Sequence, residues 1–250
     1  MAVAAATAPA LAAMTDAAEV AKRRIDEAIR SVECGSVSAR LSDTGQDVTL
    51  SGYLPSDAAR RDLAASLGGL PLVARVRTDS IAILPRPHCT LLGQLGQIGA
   101  KASSSSVGQI AKLAKSDMPR FQEDELLRIE MTAPDFAAYL YVDYYDSRGG
   151  VTHLVPGPGV TAQRFAPGQR YVLGQIGLDV TISEPFGLDV IVTVASARPL
   201  FSTPRPEWER AETYLKELRA AIQQTLGGQG QGAEYDFRFV LTAPKAGNSG

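Results

Sequence analysis

The first third of the chain places hydrophobic residues first at helical and then at strand spacing. Apolar residues recur every three to four positions over about residues 16–32, which predicts a first helix, and Asp16 with Glu19 fits a capping box at its start. Apolar and polar residues then alternate over 37–41 and again over 48–52. This alternation predicts two antiparallel strands joined by a turn.

A second helix and a third strand complete this pattern. Pro55 and Ser56 cap a helix that ends at Gly68 and Gly69, and a further strand follows over 74–84. The order is therefore helix, strand, strand, helix, strand. Both amphipathic helices can bury their apolar faces if they pack on one sheet, so we predict a small α+β layer.

The second half of the chain is rich in strand patterns. Strands are predicted over residues 125–131, 139–145, 151–156, 178–183, 188–195 and 235–241. From Pro206 to Leu226 the apolar residues keep helical spacing, which predicts one long helix across the sheet, with Trp208 as a core anchor. We predict an α+β protein: a small α/β-layer module followed by a β-rich antiparallel sheet domain with one long packing helix.

The composition between the two patterns predicts where the domains divide. A serine-rich run begins after Lys101, and such runs are typical of linkers, although a short helical pattern follows it. We predict a first domain over residues 15–100, a linker over 101–122 and a β-rich domain over 123–245.

Residues 139–156 hold the densest cluster of aromatic residues and the clearest hairpin signal. β-branched and aromatic residues flank a run of turn formers from Asp146 to Gly150. If this run is the loop, Asp143 lies opposite His153 on the neighbouring strand. A register slip of one residue would destroy that pairing.

Alternation along the first hairpin strand separates two faces. One face carries Ala138, Leu140, Val142 and Tyr144, and we expect it to be core. The other face carries the candidate ligand- or partner-binding residues Tyr139, Tyr141, Asp143 and Tyr145, joined by His153. The alternative is that these tyrosines cover a neighbouring element and that His153 is a surface or hydrogen-bonded strand residue.

Composition and charge exclude several classes of protein. A chain of 250 residues forms one large or two ordinary domains, and 45% hydrophobic with 21% charged residues is neither a disordered tail nor a membrane bundle. The net charge is −2 and the only basic cluster is residues 22–24, which argues against nucleic-acid binding. The first fourteen residues could be the end of a secretory or membrane-anchor segment or a flexible linker, but they lack a positive segment and are too short to span a bilayer. If the chain is a piece of a longer protein, its anchor would lie upstream.

The chain contains two cysteines, Cys34 and Cys89. They could be two buried free thiols, which are common in cytosolic proteins, or one disulfide. We favour the disulfide, which in the chain-entropy model would stabilise the folded state by about 4 kcal/mol for a loop of this length. It would also indicate an oxidising compartment. His88 beside Cys89 offers a weak candidate for a metal or nucleophile site, because no further ligand lies near in sequence.

Two segments resemble known bacterial families. Residues 47–56, the helix after them and residues 68–76 resemble the BON domain of envelope proteins, over about residues 16–85. That resemblance implies a small non-catalytic α+β module in the periplasm or outer envelope that meets phospholipid or other envelope components.

The second resemblance covers about residues 123–202. Residues 126–130, 139–145, 149–156, 165–168 and 182–190 together look like the bacterial domain of unknown function 4384. The resemblance implies an extracytoplasmic part of a larger chain, such as a membrane-anchored serine/threonine kinase or a caspase-like peptidase. It carries over no binding residues.

These observations favour a function without catalysis. We predict no catalytic residues, no metal and no cofactor, and we expect an extracytoplasmic, periplasmic sensing or interaction region that binds an envelope component or a partner protein. The alternative is a hydrolase or carbohydrate-active enzyme in the second domain, whose candidate carboxylates are Asp143, Asp146, Asp179 and Asp189. A deep cleft with converging carboxylates, or with His153, would favour that alternative.

Overall fold

The structure is a computed structural model and describes residues 8–42, 44, 46–227 and 232–246. The chain divides into two compact units, Met1–Pro85 and Arg86–Gly250. Each unit combines helices with a sheet, which confirms the predicted α+β class.

The N-terminal unit has the predicted order of elements. They are α1 (Ala8–Arg30), β1 (Ser36–Leu41), β2 (Asp47–Leu54), α2 (Asp57–Gly68) and β3 (Arg75–Ile83). Strand β1 pairs antiparallel with β2, and β3 pairs parallel with β2, so the three strands form one sheet. Ile25 of α1 and Leu67 of α2 are buried in one core with Leu50 and Leu54 of β2.

Helix α1 differs from the prediction at its start. It begins at Ala8, so Asp16 lies inside the helix and does not cap its N-terminus. Alanine has the highest helix propensity of all residues, which explains why the alanine-rich segment extends the helix. The first half of that segment, residues 1–7, lies outside the described residues.

The C-terminal unit is built around an eight-stranded sheet. Its elements are α3 (His88–Leu95), β4 (Lys101–Ala102), α4 (Ser104–Ala114), β5 (Arg120–Gln122), β6 (Glu130–Thr132), β7 (Ala138–Tyr145), β8 (Gly150–Val155), β9 (Arg164–Phe165), β10 (Arg170–Val172), β11 (Gly187–Ser196), β12 (Trp208–Arg210), α5 (Ala211–Leu226) and β13 (Ala233–Ala243). The strand order is β12-β8-β7-β11-β13-β4, with β5 also on β13 and β9 also on β7. Strands β6 and β10 form a separate pair.

Both faces of this sheet are covered. One face packs into a core that includes Leu140 and Val142 of β7 and Ile191 of β11. Helix α5 lies against the other face, where the ring of Tyr214 meets that of His153 edge to face at 4.6 Å between centroids. The central strand β11 is a nearly continuous apolar run, as a strand buried on both faces requires.

The predicted linker over 101–122 is wrong. Strands β4 and β5 pair in parallel with β13, and α4 lies between them in the chain. The units divide at residues 85 and 86 instead. Serine-rich composition suggested a linker, but Ser103 caps α4, since its hydroxyl oxygen accepts the backbone N–H of Ser105 at 3.2 Å.

Three further predictions are corrected. Trp208 does not anchor the long helix: it lies in β12, before α5 begins, and 54% of it is exposed. The predicted strand over 178–183 is reduced to one bridge between Thr181 and Leu126, although Ile182 is buried. Strand 125–131 is likewise shortened to β6.

Candidate functional site

The hairpin of β7 and β8 has the predicted register. Asp143 pairs with His153, and Tyr145 pairs with Val151. The turn is held by Asp146, whose Oδ1 accepts the backbone N–H groups of Arg148 at 2.7 Å and of Gly150 at 3.0 Å. The local sequence therefore fixes this hairpin through its own turn chemistry.

The aromatic face of the hairpin is buried, which corrects its predicted role as an open binding surface. Tyr141 is 3% exposed, Asp143 1%, Tyr145 1% and His153 3%, while Tyr139 is half-buried. Helix α5 covers this face with Tyr214, which is itself fully buried. The alternative interpretation, in which the tyrosines cover a neighbouring element, agrees with this packing.

His153 lies between two carboxylates. Its Nδ1 donates to Asp143 Oδ1 at 2.6 Å, and its Nε2 donates to Glu209 Oε1 at 2.9 Å. Burial lowers the pKa of His153, but the hydrogen bonds and charges of the two carboxylates outweigh it and raise the pKa above its ordinary value. Both ring nitrogens are occupied, so this histidine holds the hairpin to β12 and offers no lone pair to a substrate or metal.

The charge network continues on the far side of Glu209. Arg205 binds the carboxylate of Glu209, and its Nη1 donates to Glu217 Oε2 of α5 at 2.5 Å. The guanidinium also lies over the ring of Tyr214, 5.4 Å from its centroid. The network thus fixes α5 against the hairpin.

Tyr141 also has a structural partner. Its hydroxyl oxygen accepts the backbone N–H of Leu200 at 2.7 Å, and its ring meets that of Phe201 edge to face at 5.6 Å. Burial raises the pKa of Tyr141. The residue therefore holds the segment that follows β11.

A cavity of about 430 Å³ lies at the tip of the hairpin, and we call it the tip cavity. Its walls come from the hairpin turn around Asp146, from one side of α3 and from the start of α5. This volume falls within the range of small-molecule sites. Of the five candidate binding residues predicted from the sequence, Tyr145 lines it.

The rim of the tip cavity carries three exposed arginines, Arg86, Arg148 and Arg210. Within the described part of the chain, the guanidinium groups of Arg148 and Arg210 have neither an ion-pair nor a hydrogen-bond partner. Two acidic residues line the same cavity, Asp146 and Glu212. Asp146 is engaged by its own turn, and Glu212 pairs with Lys216 at 2.8 Å.

The wall of the cavity includes two buried side chains with polar groups, His88 and Tyr145. His88 Nε2 donates to the carbonyl oxygen of Leu188 at 2.5 Å, and burial lowers the pKa of the ring, which keeps it neutral. Burial raises the pKa of Tyr145 well above its ordinary value. Neither His88 Nδ1 nor the Tyr145 hydroxyl finds a hydrogen-bond partner among the described residues.

The other candidate carboxylates do not converge on an open cleft. Asp179 is exposed and pairs with Arg128 at 2.7 Å. Asp189 is fully buried, where it accepts hydrogen bonds from Tyr144 at 2.6 Å and Thr242 at 2.8 Å. Burial, together with the charge of Asp146, raises the pKa of Asp189 to about 6 despite these hydrogen bonds.

The predicted disulfide between Cys34 and Cys89 is confirmed. Cys34 precedes β1, and Cys89 lies in the first turn of α3. Because its sulfur is bonded, Cys89 does not form a nucleophilic pair with His88 in this state. Among the described residues, no group of three or more His, Cys, Asp or Glu side chains is placed to hold a metal ion.

Sequence reasoning missed most of the tip cavity. It pointed to the hairpin, but not to Arg86 and Arg210, which stand far from Arg148 in the chain. Arginine in a turn or at a helix start is usually a solvated residue. Only the folded arrangement of α3, α5 and the hairpin brings the three together.

Comparison with known families identifies one segment of the chain. Residues 120–199 match a domain of unknown function, DUF4384. This confirms the second resemblance seen in the sequence. The DUF4384 match spans β5 to β11 and includes the hairpin with Arg148, whereas Arg86, Arg210 and both helices of the tip cavity lie outside it.

No curated protein and no solved structure matches the chain. In the ranges that the structure describes, none of the helices combines the length and the apolar character required to cross a membrane.

Proposed function

We propose that this chain is a non-catalytic, extracytoplasmic sensing or interaction region of a bacterial envelope or signalling protein, and that it holds an envelope component in the tip cavity. The observation that carries the proposal is the cavity itself. Its volume of about 430 Å³ suits a small molecule, and the guanidinium groups of Arg148 and Arg210 on its rim have no ion-pair or hydrogen-bond partner among the described residues.

Several features support the extracytoplasmic location. A disulfide is typical of proteins in oxidising compartments. The N-terminal unit has the order of helices and strands expected of the BON-like module, which is an envelope module in the proteins it resembles. The DUF4384 resemblance further suggests a parent chain such as a membrane-anchored serine/threonine kinase.

The chemistry of the buried groups supports a function without catalysis. His153 has both nitrogens engaged by carboxylates, and Asp143 and Asp189 are at most 1% exposed. General acid–base catalysis requires a group within hydrogen-bond reach of the substrate. The carboxylates of the hydrolase alternative are instead divided between the interior, the turn and the surface.

A variant that fills the tip cavity tests the proposed binding site. Gln94 lines the cavity from the last turn of α3, so the larger side chain of Gln94→Trp should occupy the cavity. Gln97 does not line the cavity, so Gln97→Trp serves as the control. Ligand-observed NMR with a library of small acids, phosphate esters, sugars and neutral aromatics should find compounds that bind the wild type and the control but not Gln94→Trp. Binding that is indifferent to Gln94→Trp, or no binding at all, would overturn the proposal.

The proposed compartment has its own test. Protein purified from its native compartment under denaturing, alkylating conditions should show no free thiol, because Cys34 and Cys89 are bonded. Two alkylated cysteines per chain would contradict the extracytoplasmic location.

A further inference from the structure

We infer that the tip cavity recognises a small organic anion, with the oxygens of its phosphate or carboxylate group at the arginine rim and its uncharged part against the wall. This inference rests on the proposed function, because it names the ligand class of the same cavity.

The charges around the cavity favour an anion. Three arginines and two carboxylates line it, and Arg86 already has an interaction of its own. Both carboxylates are already engaged, Asp146 by the backbone of its turn and Glu212 by Lys216. Among the described residues, the guanidinium groups of Arg148 and Arg210 have no ion-pair or hydrogen-bond partner, although the charge of Arg210 also acts on Glu212. The positive charge is therefore available to a ligand, and guanidinium groups match phosphate and carboxylate oxygens in geometry.

The backbone adds to this preference. Helices α3 and α5 both begin at the cavity, with Pro87 and Arg210 as their N-cap residues, and neither has a side-chain cap. By contrast, Ser56 caps α2 and Ser103 caps α4. The first N–H groups of an uncapped helix and its dipole favour a negative charge.

The wall indicates that the ligand also has an organic part. Pro87, Leu91 and Leu215 supply apolar surface beside the ring of Tyr145. Two of the lining residues, Tyr145 and His88, each carry a buried polar atom without a hydrogen-bond partner among the described residues, the Tyr145 hydroxyl and His88 Nδ1. Such groups are costly unless a partner reaches them, and a bare inorganic ion would leave most of the wall uncovered. An organic body covers the apolar wall while its charged group stays at the rim.

Four compounds that each contain one benzene ring and differ in charge separate the contribution of charge to binding from that of shape. They are phenyl phosphate, benzoate, benzyl alcohol and benzylamine. Titrated into the wild-type chain and followed by NMR, phenyl phosphate or benzoate should bind, and the neutral and cationic compounds should bind at least about tenfold more weakly. The ranking of the two anions distinguishes a phosphate ligand from a carboxylate ligand. Added salt should weaken the binding of the two anions and not that of the other two compounds.

Substitutions at the rim connect the binding to its arginines. Arg148→Ala should weaken anion binding by about tenfold or more, and Arg148→Lys, which keeps the charge, should retain part of it. Arg164→Ala is the matched control, because Arg164 is exposed in β9 and does not line the cavity.

The outcomes separate this inference from the proposed function. If benzyl alcohol or benzylamine binds as tightly as the anions and Gln94→Trp abolishes that binding, the cavity is a binding site but the anionic class is wrong. If neither anion binds at millimolar concentration, or if Arg148→Ala binds them as well as Arg164→Ala does, the anionic class is also wrong. Anion binding that survives Gln94→Trp unchanged would refute the cavity, and with it both proposals.

Discussion

Replacing Asp143 by asparagine removes one of the two carboxylates that hold the buried His153 ring. The side chains of Asp143 and His153 are 1% and 4% exposed, and the bond between them measures 2.6 Å. Removing one partner of a buried ion pair costs about 3–5 kcal/mol when the other charge is left uncompensated. Here Glu209 remains 2.9 Å from Nε2, and the asparagine oxygen can still accept the Nδ1 hydrogen. We therefore expect a loss of about 1.5–3 kcal/mol, the value of one charge-assisted hydrogen bond.

Urea denaturation followed by tryptophan fluorescence measures this loss of stability in the C-terminal unit. Trp208 is the single tryptophan of the chain and lies in β12, beside the hairpin. Its signal therefore reports on the C-terminal unit. The comparison holds if the dependence of the unfolding free energy on urea is the same in both proteins.

The matched control is Asp179→Asn, which makes the same chemical change at an exposed carboxylate paired with Arg128. Exposed ion pairs contribute little to stability, so this variant should unfold close to the wild type. If Asp143→Asn is no less stable than Asp179→Asn, the buried network does not stabilise the hairpin.

Two further predictions concern the pH dependence of stability in the C-terminal unit and a glycine in the N-terminal unit. Because the pKa of His153 is raised above 6.5 in the folded state, its stabilisation is complete below that value and is lost as pH rises through the folded-state pKa. The unfolding free energy of the C-terminal unit should therefore fall as the pH rises above 6.5, where His88, whose pKa is lowered, stays neutral. A flat or rising profile contradicts this. In the N-terminal unit, a Cβ on Gly52 (φ +126°) would lie 2.0 Å from the carbonyl oxygen of Ser36, so Gly52→Ala should cost about 2 kcal/mol or more in circular-dichroism melts. Gly68→Ala, which meets open space at the end of α2, should cost nothing, and equal stability of the two variants would show that β1 and β2 separate easily at this point.

The hairpin shows what the sequence determined about this protein. Turn formers from Asp146 to Gly150 set the loop, and the strand period of two then placed Asp143 opposite His153. The order of elements in the N-terminal unit followed from hydrophobic period in the same way. These features depend on neighbours in the chain, so the local pattern was sufficient to predict them.

Tertiary structure alone decided what covers the hairpin and where the tip cavity lies. The sequence placed Tyr141, Asp143 and Tyr145 on one face, but α5, which covers that face, stands far away in the chain. The alternation of side chains along a strand assigns residues to two faces, but it does not determine which face is exposed to solvent. The tip cavity depends on the same long-range packing, because its three arginines come from the segment before α3, from the end of β12 and from the hairpin turn.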